Sequence, residues 1–102
     1  MRVLFVCLGN ICRSPMAEGV FCFRARARGR AQDFEVDSAG TAAYHVGELA
    51  DRRTRALLAE NSIQLESRAR QVSDADFERF DYLFAMDSSN FRDLFRRCPE
   101  RY

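Results

Sequence analysis

The residues with the clearest chemical potential lie close together near the start of the chain, in Val6-Cys7-Leu8-Gly9-Asn10-Ile11-Cys12-Arg13-Ser14-Pro15. An apolar strand leads into a Gly-Asn turn, and Ser-Pro then signals the start of a helix. A loop of this kind turns successive backbone N–H groups inward and adds a helix dipole, which together hold a phosphate-sized anion. Cys7 falls at its floor. Arg13 falls at the helix entrance, where a planar guanidinium can hold two phosphate oxygens. A thiol among these donors is expected to have a depressed pKa and to be a thiolate at neutral pH. The Ser14 hydroxyl can hydrogen-bond the sulfur as well as cap the helix. The expected chemistry is nucleophilic attack on phosphorus, with donors around the oxygens that gather charge.

Spacing alone does not carry this reading. Cys22 and Arg28 repeat the Cys7–Arg13 interval. They fall inside a helix without a turn or a helix start, so Cys22 reads as a small core residue. All sixteen basic residues are Arg and the only His is His45. A P-loop lysine, a Schiff base and any site needing two histidines are excluded.

The elements that must position Cys7 and Arg13 follow from local patterns. Residues 2–8 are apolar on both parities, as in a strand buried on both faces of a parallel sheet. Ser14 at the cap and Pro15 at the first turn open a helix with Met16, Ala17, Val20, Phe21 and Phe23 turned inward, stopping at Gly29. Its Arg24–Arg30 stretch reads as a solvated face. Residues 34–38 form a second strand ending at Gly40. Residues 51–61 are helical with Leu57 and Leu58 inward. Ser73 with Asp74 and Asp76 opens a short helix. Residues 82–86 form a third strand, and Ser88 or Ser89 caps a last helix carrying Phe91, Leu94 and Phe95. Alternating strands and helices imply a parallel α/β sheet with right-handed crossovers. Ligands in such sheets bind at the carboxyl ends of the strands.

The chain has 102 residues, 47% hydrophobic and 30% charged, with a net charge of +1. This describes one folded domain over residues 1–102. The charge balance carries no footprint of nucleic acid or of an anionic membrane. Four cysteines without a signal segment suggest reduced thiols and a cytoplasmic protein. No apolar run is long enough to span a bilayer.

Residues 6–18, VCLGNICRSPMAE, resemble the signature of the low-molecular-weight protein-tyrosine phosphatases. The similarity continues through Val36-Asp37-Ser38-Ala39-Gly40-Thr41, Tyr44-His45-Val46-Gly47, Ala69-Arg70-Gln71-Val72, Phe80-Asp81-Tyr82 and Met86-Asp87-Ser88-Ser89-Asn90. It implies a three-layer, flavodoxin-like parallel sheet with helices on both faces. Cys7 would be the nucleophile and Arg13 the phosphate binder and transition-state clamp. Leu8, Gly9, Asn10, Ile11, Cys12, Arg13 and Ser14 would make the phosphate loop. Asn10, Ser14 and Ser38 would support it, and Leu8, Ile11 and Tyr44 would wall the substrate ring. The implied partners are phosphotyrosine proteins and phosphate or related oxyanions. No metal and no organic cofactor is implied, and a phosphocysteine intermediate would be cleaved by water. Cys12 matches the family's second loop cysteine, which leaves two readings: a redox partner that traps oxidised Cys7 as a disulfide, and a small packing residue.

The family's general acid is an Asp in a late Asp-Pro-Tyr segment, and no Asp in this sequence precedes a Pro. The chain is therefore expected to lack that acid, along with the last strand and helix. Asp87 reads as structural, and Ser67 stands where relatives often place a loop-supporting His. Loss of a general acid costs about 10²–10⁴ in rate, so impaired turnover is expected. The third strand would be a bare apolar edge, inviting self-association. Alternative readings are a phosphate- or phosphotyrosine-binding pseudophosphatase and an arsenate reductase. The latter needs a further closely spaced cysteine pair, and Cys98 stands alone. A protein-arginine phosphatase is disfavoured by the apolar Ile11, where such relatives tend to place Thr.

Overall fold

The computed structural model describes residues 1–100. Three parallel strands form one sheet in the order β2-β1-β3. β1 (Arg2–Cys7) is central and pairs with β2 (Glu35–Gly40) and β3 (Tyr82–Ala85). The helices are α1 (Arg13–Ala27), α2 (Arg52–Glu60), α3 (Asp74–Arg79) and α4 (Ser88–Arg97), and a short 3₁₀ turn (Ala31–Asp33) follows α1. Among the described residues no helix is long and apolar enough to cross a membrane.

β1 is apolar on both parities because both its faces are covered. Leu4 and Val6 meet Ala39, Val72, Phe80 and Leu94 in the core on the α3–α4 side. Phe5 faces the other way, against Phe21 of α1 at 5.9 Å between ring centres. The β1–β2 crossover carries α1 on one face and the β2–β3 crossover carries α3 on the other, as right-handed connections require, and α4 packs beside α3 on that second face. The switch in strand order falls at the carboxyl end of β1, where Cys7 ends the strand opposite Gly40.

Several helix faces differ from expectation. On α1, Val20 and Phe23 are exposed, and the buried position is Gly19, where a Cβ would stand 3.3 Å from Ile63 and 3.4 Å from Leu58. α1 is therefore packed along a stripe of small residues, with Ser14, Pro15 and Gly19 against the sheet and α2. Cys22 lies on the exposed side and is no core residue. On α2 only Leu58 is buried, while Leu57 faces solvent. On α4 Leu94 alone enters the core, and Phe91 and Phe95 stack on each other at the surface. One of two expected residues on α2, two of three on α4 and two of five on α1 fall beyond the arc that each helix presses onto its neighbours.

The expected caps shift as well. α1 begins at Arg13, with Cys12 at its cap and no side-chain cap bond. The Ser14 hydroxyl is engaged elsewhere, and Pro15 occupies the first turn, where its missing N–H costs nothing. Asp87, not Ser88 or Ser89, caps α4 by accepting from Asn90 N at 2.8 Å. α3 opens as expected, with Ser73 and Asp76 in a reciprocal capping box.

Candidate active site

The β1–α1 loop closes around the Cys7 sulfur. Cys7 is buried, and its Sγ lies 2.9 Å from Ser14 Oγ. Asn10 N donates to the same sulfur at 3.3 Å. Asn10 Nδ2 donates to Ser14 Oγ at 2.8 Å, which leaves the serine's own proton free to point at Sγ. Asn10 adopts φ +58, the left-handed conformation that Asn tolerates and most residues do not. That twist is what turns its N–H back onto the thiol.

Asn10 also anchors the loop from outside. Its buried Oδ1 accepts from Arg70 N at 3.0 Å, sixty residues along the chain. Arg70 is fixed in turn by Asp76 at 2.9 and 3.0 Å and by Asp37 at 3.1 Å. The segment after β2 lies directly against the loop. Thr41 N donates to Cys7 O at 2.9 Å and Ala42 N to Leu8 O at 3.0 Å. A Cβ at Gly40 would stand 2.7 Å from Leu8 O, so only glycine permits this approach.

Arg13, exposed at the first residue of α1, reaches Asp87 Oδ2 at 2.8 Å. Asp87 follows the carboxyl end of β3, so the sheet brings together two residues 74 positions apart. The amide of Asn90 and the guanidinium of Arg13 hold the Asp87 carboxyl below the usual carboxylate range. The Asp87 hydrogen bond raises the Arg13 pKa in return.

The other expected site residues are placed as follows. Leu8 and Tyr44 are exposed at the rim and Ile11 is half-buried there. Cys12 is exposed and accepts a hydrogen bond from Thr54 Oγ1 at 3.4 Å. Ser38 is buried, but its hydroxyl donates to Glu18 Oε1 at 2.6 Å and makes no bond to Asn10. Ser67 donates to the same Glu18 oxygen at 3.3 Å. Burial pushes the Glu18 pKa up, more than the two serine hydroxyls lower it.

Sequence reasoning missed Glu18, Arg70 and His45. The His45 ring lies over the loop, with Cδ2 3.0 Å from where a Gly9 Cβ would stand. Its Nδ1 is 2.9 Å from Glu48 Oε2. The local signal for Arg70 was its place in the Ala69–Val72 segment. Glu18 closes the 6–18 segment in the same way, but its position on α1 reads as an ordinary helix-surface acid and gives no hint of its contact with Ser38.

The family profile described as low molecular weight phosphotyrosine protein phosphatase matches residues 2–102. The chain belongs to that family. A low molecular weight phosphotyrosine protein phosphatase of Schizosaccharomyces pombe is 52% identical over 98% of this chain and 65% of its own length. A product-state mimic of the Entamoeba histolytica protein tyrosine phosphatase superposes with a TM-score of 0.96 at 47% identity, covering 100% of this chain and 65% of that one. A Drosophila arginine phosphatase superposes with a TM-score of 0.90 at 43% identity, covering 94% and 60%. The chain thus spans a little under two thirds of the length of these low molecular weight phosphatase relatives.

Proposed function

We propose that this chain carries the nucleophilic half of a cysteine-dependent phosphatase acting on phosphotyrosine in proteins and on small aryl phosphates. The observation that carries the reading is the pair of donors converging on the Cys7 sulfur, Ser14 Oγ at 2.9 Å and Asn10 N at 3.3 Å, at the N-terminal end of α1. Both favour negative charge on sulfur, and the helix dipole adds to them. The same loop amides would surround the three peripheral oxygens of a bound phosphoryl group. Arg13 would exchange part of its contact with Asp87 for two of those oxygens, with Asp87 still aiming the guanidinium.

In the first step a sulfur lone pair forms the S–P bond while the P–O bond to the aryl oxygen breaks, and that oxygen leaves with the electron pair. Water then replaces sulfur on phosphorus, giving inorganic phosphate, a free Cys7 thiolate and a released proton. Asp87 has both carboxylate oxygens engaged, by the Asn90 amide and by the Arg13 guanidinium, so it is assigned the aiming of Arg13 and not the protonation of the leaving group. Leaving groups that depart as anions should therefore turn over best, and alkyl phosphates worst. The apolar and aromatic rim of Leu8, Ile11 and Tyr44 suits a flat ring better than a guanidinium, which favours tyrosine over arginine phosphate. Cys12 would serve as redox partner to Cys7. All four cysteines are unpaired, which fits a reducing compartment such as the cytoplasm.

Rapid mixing with p-nitrophenyl phosphate tests the reading. A stoichiometric burst of nitrophenol, a slower steady state, and loss of both in Cys7→Ser are expected. Phosphate binding without any burst would overturn the enzymatic reading in favour of a binding module.

A further inference from the structure

Beside the phosphate loop lies a cavity of about 310 Å³ that shares Leu8 and Tyr44 with the rim of the proposed site and extends from them to α4, which the proposed chemistry does not use. Leu8 and Tyr44 form its wall toward Cys7, and the last turn of α4 forms the other, with Arg96, Arg97 and Asp93. Two guanidiniums thus face one carboxylate, next to the place where a phosphorylated side chain would enter. Neither arginine is well satisfied. Arg96 meets Asp93 only at 3.6 Å across an exposed gap, and Arg97 makes one long bond, 3.5 Å, to Val72 O. Long, open pairs of this kind give way to a better partner. Tyr44 is 74% exposed, so nothing described shields the cavity from an extended peptide.

We propose that this cavity is a specificity subsite that takes an acidic side chain flanking the phosphotyrosine of a protein substrate. The inference rests on the phosphatase reading of the Cys7 loop and names the substrate class for it. Arg96 and Arg97 carry the preference by charge-assisted hydrogen bonds to the flanking carboxylate, and Tyr44 packs along the peptide between the two sites. Arg92, on the same helix, lines a different surface with Phe91, Phe95 and the other side of Arg96, and it does not line this cavity.

The test is the binding of fluorescent phosphotyrosine peptides to the Cys7→Ser chain, with either Ala or Glu in the positions flanking the phosphotyrosine. The Glu peptide is expected to bind about 3- to 10-fold tighter at low salt, within the reach of one or two charged hydrogen bonds. The ratio should fall toward one as salt shortens the Debye length. It should also fall to about one in Arg96→Gln and in Arg97→Gln. Arg96→Glu should reverse it, and Arg92→Gln should keep it. Equal binding of the two peptides, no binding of either, or loss of the ratio in Arg92→Gln as in the other variants would overturn the subsite. Turnover of p-nitrophenyl phosphate by the unaltered chain reports on the phosphatase reading separately, since that substrate has no flanking residue.

Discussion

At the scale of single residues, Arg13 and Glu18 carry opposite kinds of charge problem. Arg13 is exposed and always charged, and its value lies in geometry: a planar fork aimed by Asp87. Lysine keeps the charge and loses the fork. Arg13→Lys is therefore expected to lower kcat/KM for p-nitrophenyl phosphate by about 10²-fold or more, as for loss of a transition-state donor, with little change in melting temperature. Glu18 is a carboxyl held away from water by two serines and α1, with Asp37 adding like charge and Arg70 opposing it. Its folded-state pKa is raised, so the native chain binds that proton more tightly than the unfolded chain does. The stability it contributes is complete below the unfolded pKa and is lost as pH rises through the folded one. Glu18→Gln mimics the protonated form. Its melting temperature should match the parent at low pH and exceed it increasingly toward neutral pH. A constant difference across the whole range would contradict this account.

At the scale of elements, α4 and the loop after β3 act together through Asp87, which caps the helix with Oδ1 and holds Arg13 with Oδ2. The two roles separate by substitution. Asp87→Asn keeps an acceptor for the Asn90 amide and removes the ion pair, so vanadate should bind less tightly while the melt changes little. Asp87→Ala removes both, so melting and vanadate affinity should fall together. Calorimetry beside vanadate titration distinguishes them. The strand–turn–helix around Cys7 was legible because each signal there is local: a doubly apolar strand, Gly-Asn, then Ser-Pro. The third strand and the helix start at Ser73 were legible for the same reason. The helix faces were not. Val20, Phe23, Leu57, Phe91 and Phe95 are apolar but exposed, because their burial depends on where a neighbouring helix happens to lie. Of the two roles read for Ser14, the contact with the Cys7 sulfur is present and the helix cap is not, because one hydroxyl held by the sulfur and by Asn10 has nothing left for the helix end. Asp87 and Arg70 belong to the site only through the sheet, at separations no local window spans. The expectation of a sheet with helices on both faces held because alternation and handedness fix it.

At the scale of the whole molecule, β3 is the outer strand of the sheet among the described residues, and the aromatics on it are open. Tyr82 is 49% exposed and Phe84 46%, stacked 5.9 Å apart and continuous with Phe5. α1 covers β1 and β2 but leaves this strip bare. We expect chains of residues 1–102 to pair through it at micromolar concentration. Tyr82→Thr with Phe84→Thr should return a monomer mass by light scattering, and a monomer before substitution would count against the pairing. The tie between Asn10 and the Arg70 amide has a different consequence, one of timing. The loop that cradles the sulfur is encoded within the first fifteen residues, yet the anchor for its buried amide is made only sixty residues later. During synthesis the pocket must stay unmade until the 70–76 segment has left the ribosome and folded back. Nested fragments stopped before Arg70 should leave Cys7 open to alkylation whether or not vanadate is present. Protection should appear only in fragments that include Asp76.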